Sequence, residues 1–207
     1  MKLLNNNILV SSEGYIDNVK GVIMDNSFNT HKATNVVATV LQVDDISEIR
    51  EGAFCSGFTC NNPILKIGDK VIVEWQYIDR ALSNEEYRFG NDLIIPYDSI
   101  IAIYDNGLIA MNGNVIFSDF TTKKIYTKGY EAQEEEFITG RVVSANNVTK
   151  YWLEYEDRKE EIKPNPIPEG CLVSLSTKYC RNIESDMYML MDKKYAYVKS
   201  FNIITWQ

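Results

Sequence analysis

The sequence predicts an all-β fold organised as two tandem domains. Helical 3.6-residue periodicity is missing over every long window, while Val, Ile, Tyr and Thr cluster in runs of four to eight residues bounded by Gly, Asn and Pro. The order of these runs in the first half recurs in the second.

The first strand is Asn7-Ile8-Leu9-Val10 and the second runs from Val36 to Val43. About twenty-five polar residues separate them, and one apolar cluster, Gly21-Val22-Ile23-Met24, stands alone in their midst. A connection this long inside a compact domain is uncommon, and is usually functional or disordered. Asp44 to Pro63, punctuated by Gly52, Gly57, Asn61 and Asn62, reads as a long hairpin or excursion. Gly68-Asp69 turns the chain into a strand from Val71 to Trp75, and the polar stretch from Tyr77 to Gly90 ends in a further turn. Asp92 to Tyr104 gives two short apolar segments interrupted by Pro96, which cannot donate to a ladder and so marks a strand end or edge. Asn106-Gly107 closes the first half. One domain thus covers 1–110, with a long loop at 11–34, and a second covers 111–207.

The second half repeats the first in order and spacing. Asn7-Ile8-Leu9-Val10 recurs as Asn114-Val115-Ile116-Phe117, and Ala38-Thr39-Val40-Leu41 as Gly140-Arg141-Val142-Val143. Ile67-Gly68-Asp69-Lys70-Val71 recurs as Glu169-Gly170-Cys171-Leu172-Val173, and Gly140 to Gly170 spans as many residues as Ala38 to Gly68. The copies differ in their loops: the second long loop, at 118–137, is five residues shorter, and spacing aligns Tyr195 with Asp98. The shared order points to a tandem duplication.

Composition bounds the function classes. At 207 residues with 45% hydrophobic content, the chain buries a sizeable core. No apolar run exceeds four or five residues, so nothing is long enough to span a membrane, and the Asn-broken N-terminus is not a signal-peptide core. A cytoplasmic location is expected. The net charge of -8, with Lys and Arg scattered, opposes a nucleic-acid partner, because binding phosphates needs a basic surface.

The first copy resembles a GroES-type co-chaperonin along most of its length. Asn7 to Val10 matches that family's first strand, and Gly21-Val22-Ile23-Met24 falls where its mobile loop carries a Gly-Gly-apolar-apolar-apolar plug. Thr39 to Asp45 is similar to the strand that leads into the roof hairpin, and Leu65 to Val73 resembles the family's Gly-Asp turn and strand. Asp92 to Tyr104 resembles the terminal segment in which each subunit pairs with its ring neighbour. The resemblance implies two tandem GroES-like irregular β-barrels, a homo-oligomeric ring, and capping of a GroEL-type chaperonin in its ATP-bound state. The doubled chain is also similar to the double-domain co-chaperonins of chloroplasts. Gly21, Val22, Ile23 and Met24 would then be the partner-binding residues, with no cofactor and no covalent chemistry. The chain departs from the pattern at Lys20, which replaces the second glycine, and at Met24, a soft groove filler. The second copy departs further: its loop offers Ile125-Tyr126 and the acidic Glu134-Glu135-Glu136, and its Gly-Asp turn has become Gly170-Cys171. It is expected to serve as a spacer, a neighbour-packing domain or part of the dome.

Competing readings remain open at this level. Val22-Ile23-Met24 also reads as one more core strand. Trp75, Trp152, Trp206 and the thirteen tyrosines suit a stacking surface, but serve more often as core and cross-strand pairs. Glu154 to Glu161 reads as the solvated face of a roof hairpin and lacks the ligand spacing of a calcium loop. Cys55, Cys60, Cys171 and Cys180 form no CxxC pair, and His31 is the only histidine, so neither a metal centre nor catalysis by His31 with Cys55 or Cys60 is expected. The alcohol dehydrogenase form of the fold needs zinc ligands and a dinucleotide domain that this sequence lacks. The alternative to a co-chaperonin is a structural or assembly protein of the same fold, for example a phage virion component. The loop discriminates them: a co-chaperonin keeps Val22-Ile23-Met24 exposed, whereas a structural protein buries them.

Overall fold

A computed structural model describes residues 3, 6–11, 18–19, 22–23, 36–43, 57–126, 134–154, 159–176, 181–183 and 195–207. The first half carries β1 (Asn7–Val10), β2 (Asn18–Val19), β3 (Val22–Ile23), β4 (Val36–Val43), β5 (Phe58–Cys60), β6 (Lys70–Val73), α1 (Trp75–Ser83), β7 (Arg88–Phe89), β8 (Asp92–Pro96), β9 (Ile100–Tyr104) and β10 (Leu108–Ala110). The second carries β11 (Asn114–Tyr126), β12 (Glu134–Ala145), β13 (Val148–Glu154), β14 (Lys159–Ile162), β15 (Leu172–Ser176), β16 (Arg181–Ile183), β17 (Tyr195–Lys199) and β18 (Thr205–Trp206). Among the described residues, the regular structure is β apart from α1 and a few 3-10 turns. Two large antiparallel sheets form, in the orders β10-β9-β6-β4-β1-β8-β7 and β16-β17-β11-β12-β15-β18, and neither closes on itself among the described residues.

Period-two patterning sets both sheets. In β1, Ile8 and Val10 face a core with Leu93 and Ile95 of β8, while Leu9 faces the other way. In β11, Val115 and Phe117 face a second core with Ala196 and Val198 of β17, while Ile116 and Tyr197 point to the opposite face.

The helix departs from the sequence expectation. The strand expected to reach Trp75 ends at Val73, and Trp75–Ser83 forms α1 in place of extended and turn structure. Ile78 and Ala81, each 1% exposed, enter the first core with Tyr77 and Leu82 beside them. That is the i, i+3, i+4 pattern of an amphipathic helix, compressed into nine residues. No side chain caps its start, so packing rather than capping holds it. At its far end the Arg88 guanidinium donates to the Ala81 and Leu82 carbonyls.

The two large sheets repeat each other in strand order and in several matching bonds. The order β7-β8-β1-β4-β6-β9 is matched by β16-β17-β11-β12-β15-β18. The β1–β4 ladder slips after Leu9 and the β11–β12 ladder slips after Ile116. Gly68 and Gly170 both take positive φ, at 92° and 80°, a conformation natural to glycine. Gly68 N–H donates to Val40 O at 2.8 Å, and Gly170 N–H donates to Val142 O at 2.9 Å. Tyr97 N–H reaches Asn6 O, and Ser200 N–H reaches Gly113 O, both at 2.9 Å. These pairs correct one alignment. Tyr195 begins β17 and matches Asp92 at the start of β8; Asp98, inside the 3-10 turn Tyr97–Ser99, matches Phe201 inside Ser200–Asn202.

The connections between equivalent strands differ most. The stretch 118–137, read from sequence as a loop, is mostly ladder: β11 and β12 pair out to Tyr126 and Glu134. A third sheet, β14-β13-β5, joins the halves, because β5 of the first pairs with β13 of the second. The Glu154–Glu161 region accordingly sits on the β13–β14 hairpin, where Trp152 faces Glu161 in register and Glu160 and Glu161 are exposed.

Candidate partner-binding surfaces

Of the plug residues, Gly21 and Met24 lie outside the described residues, as do His31, Cys55 and Cys180. Val22 and Ile23 are described at the backbone. They form β3, whose ladder pairs Val22 with Val19 and Ile23 with Asn18. This two-stranded sheet is separate from the seven-stranded one. A lone pair of two-residue strands is marginal in water and needs a further surface to hold it.

Among the described residues, the joint between the halves gathers a dense polar network. Ile72, Ile101, Ala102, Leu108 and Ala110 of the first half bury Ile116 and Tyr197 of the second. Asparagines stitch the rim of this contact. The Asn112 amide donates to Tyr97 O and Ile100 O, both at 2.9 Å, and its Oδ1 accepts from Asn62 Nδ2 at 2.7 Å. Asn146 accepts from Gly113 N–H at 2.8 Å and donates to Asn61 O at 2.6 Å. Asn114 Nδ2 donates to Ile101 O at 3.3 Å, and Lys199 Nζ donates to Asn112 O at 2.6 Å. Asn112 and Gly113 both have positive φ, at 54° and 74°, so the chain turns sharply into β11. A Cβ at Gly113 would lie 2.7 Å from Val148 Cγ2 and 2.8 Å from Phe58 Cε2, so glycine is what lets β5, β13 and the turn meet. The sequence closed the first half at Asn106-Gly107 and missed both β10 and this joint; the Asn112-Gly113 turn pair was the signal.

The other sequence candidates scatter. Lys150 Nζ stands 5.3 Å over the Trp152 ring, while Trp206 is 44% exposed on β18. Cys60 is buried and its Sγ donates to Asn62 Oδ1 at 3.7 Å. Burial pushes the Cys171 thiol upward, against its own backbone hydrogen bond and Arg141. No group of three or more His, Cys, Asp or Glu residues able to hold a metal occurs among the described residues. An open cleft of about 310 Å³ beside the Gly68 turn is lined by Asp69, Lys70, Tyr104, Asp105 and Asn106, among others. None of the helices described is long and apolar enough to cross a membrane.

No family model matches the chain, and no solved structure matches it. The chain is similar to a DNA-directed RNA polymerase subunit beta of Plasmodium falciparum (isolate 3D7), 28% identical over 144 residues. That match takes in 69% of this chain and only 11% of the polymerase subunit's length.

Proposed function

We propose that the chain is a cytoplasmic co-chaperonin of two GroES-like barrels, with the first repeat carrying the contact to a GroEL-type chaperonin. The observation that carries this reading is the separateness of β3: the backbone of Val22-Ile23 pairs with Asn18-Val19 and not with a strand of the core sheet. A weak hairpin bearing apolar residues completes itself on a partner's groove. It loses conformational entropy on docking, so each contact is individually weak. Several such loops on one oligomer make later contacts intramolecular, and avidity restores tight but reversible capping. Each buried apolar side chain contributes about 1.5–3 kcal/mol before ordering costs. The polymerase likeness covers too little of that subunit to lend this chain its activity.

The test is binding to a GroEL-type chaperonin from the same cell, with and without ATP, using wild type and a Val22→Ser/Ile23→Ser double variant. The expected result is an ATP-dependent complex that the variant loses. A complex that survives the substitution moves the contact elsewhere. Failure of wild type to bind such a chaperonin overturns the reading in favour of an assembly protein of the same fold.

A further inference from the structure

The sequence holds two Asn-Gly pairs, Asn106-Gly107 and Asn112-Gly113, and the fold treats them oppositely. An asparagine side chain followed by glycine is open to attack by the next backbone nitrogen. Glycine has no Cβ, so that nitrogen is uncrowded and the backbone is free to turn towards the side chain. At Asn112 both reacting groups are held. The residue is 0% exposed, its Nδ2 donates to Tyr97 O and Ile100 O, and its Oδ1 accepts from Asn62 Nδ2. The Gly113 N–H donates to Asn146 Oδ1 at 2.8 Å. At Asn106 neither group is held in this way. Asp105, Asn106 and Gly107 form the three-residue turn between β9 and β10, and all three are exposed. Asn106 stands on the rim of the open cleft beside the Gly68 turn, where water reaches it. Its Nδ2 donates to Asp105 Oδ1 at 3.2 Å, an exposed bond that leaves Cγ uncovered. The Gly107 N–H donates to nothing among the described residues.

We propose that Asn106 is a self-modifying site, which loses its amide in the folded protein to give aspartate and isoaspartate while Asn112 is preserved. The Gly107 nitrogen attacks Asn106 Cγ. A C–N bond forms, the Cγ–Nδ2 bond breaks, and the Gly107 amide proton leaves with Nδ2 as ammonia. Water then opens the cyclic imide, with no oxidant or reductant involved. Breaking its N–Cγ bond gives aspartate on the normal backbone; breaking the bond from nitrogen to the α-carbonyl carbon leaves the chain running through Cβ and Cγ, as isoaspartate. Both products add a carboxylate next to Asp105. Isoaspartate also inserts one more backbone atom between Asp105 N and Gly107 O, which hydrogen-bond across the turn at 3.0 Å. In its sheet β10 pairs with β9 alone, so no second neighbour holds its register. The residues displaced are Leu108 and Ala110, which help to bury Ile116 and Tyr197. The joint between the halves therefore loosens as the protein ages.

The experiment is peptide mapping by mass spectrometry of the full chain, incubated in mildly alkaline buffer both folded and in urea. In urea both asparagines are expected to lose their amides at similar rates, because nothing there protects Asn112. In the folded protein Asn106 is expected to convert and Asn112 to stay intact. Gly107→Ala crowds the attacking nitrogen and is expected to slow conversion by about tenfold or more. A Cβ at that position meets only Asp105 O, at 3.9 Å, so the variant keeps the fold. Asn106→Asp separates the new charge from the altered backbone. Its amide hydrogen exchange at 108–110 is expected to match fresh wild type, whereas aged wild type carrying isoaspartate exchanges faster there. A folded chain that keeps Asn106 intact while the unfolded chain has lost half of it overturns the proposal. So does conversion of Asn112 as fast as Asn106 in the folded chain. Exchange at 108–110 that isoaspartate leaves unchanged overturns the effect on the joint.

Discussion

Gly140 and Phe117 offer a measurement of how the duplicated core diverged. A Cβ built on Gly140 falls 2.4 Å from Phe117 Cδ2 and 3.1 Å from the Ser118 carbonyl oxygen. Phe117 is 0% exposed, so its ring has nowhere to retreat. The first repeat holds Ala38 and Val10 at the same two positions, both buried. The second copy has thus traded the β4-type methyl for a larger β1-type ring, whose extra atoms outnumber the one removed. Gly140→Ala alone overpacks, at a cost of about 1–3 kcal/mol, offset by about 0.4–1 kcal/mol from the less flexible unfolded chain, since glycine's positive φ is not needed there. Phe117→Val alone opens a cavity, and costs about 2–3 kcal/mol by scaling from truncation to alanine. The double variant rebuilds the first repeat's pair, so its loss should fall short of the sum by at least about 1 kcal/mol. The Ser118 oxygen remains close, so recovery is incomplete. Urea unfolding at constant m-value measures each term; by heat, each kcal/mol moves the midpoint about 2–4 °C in a chain this size. Losses additive to within about 0.5 kcal/mol refute the exchange.

Two further predictions concern the joint. Asn112→Ala removes two donated bonds and one accepted, and places alanine at φ 54°, so stability should fall by about 2–4 kcal/mol; a loss below about 1 kcal/mol would mean the network is not holding the halves together. Partial desolvation raises the Asp98 carboxyl above its ordinary 3.8, although the residue as a whole stays exposed, while Lys199 and its own backbone hydrogen bond pull it down. The unfolded chain therefore releases this proton first, so Asp98 costs the fold stability as pH rises from its unfolded value through its folded one. Lys199→Met removes a lowering charge. Carboxyl-carbon NMR should then show Asp98 titrating still higher, and an unmoved or lowered midpoint would rule out Lys199 as its partner.

Much of the fold was legible because the repeat is written in backbone chemistry. Gly68 and Gly170 mark equal turns, and the runs at Asn7 and Asn114 start equal strands. Alternating residues announced two cores. What escaped depended on contacts across the chain. Helix α1 is nine residues long and is held by core packing, so a periodicity averaged over longer windows passes over it. The Asp98 alignment slipped although Gly68 to Asp92 and Gly170 to Tyr195 are nearly equal in length, because the residues of the two 3-10 turns share no pattern: Asp98 stands opposite Phe201. β10 reads as three unremarkable residues and becomes a strand through Tyr104 and Ser144, which no local pattern announces. Of the plug, only the backbone of Val22 and Ile23 falls among the described residues, and there it is extended.

The pairing of β5 with β13 governs how the protein is made. Thr59 and Thr149 touch at 2.7 Å across ninety residues of chain. At about 5–20 residues per second, a ribosome delivers the second threonine roughly 5–20 seconds after the first. During that interval Phe58–Cys60 has emerged without its partner strand, and bare strand edges invite pairing with other chains. The nascent first half must therefore wait, unfinished, for the second. A chain cut to its first half would lose β13, the strand that pairs β5.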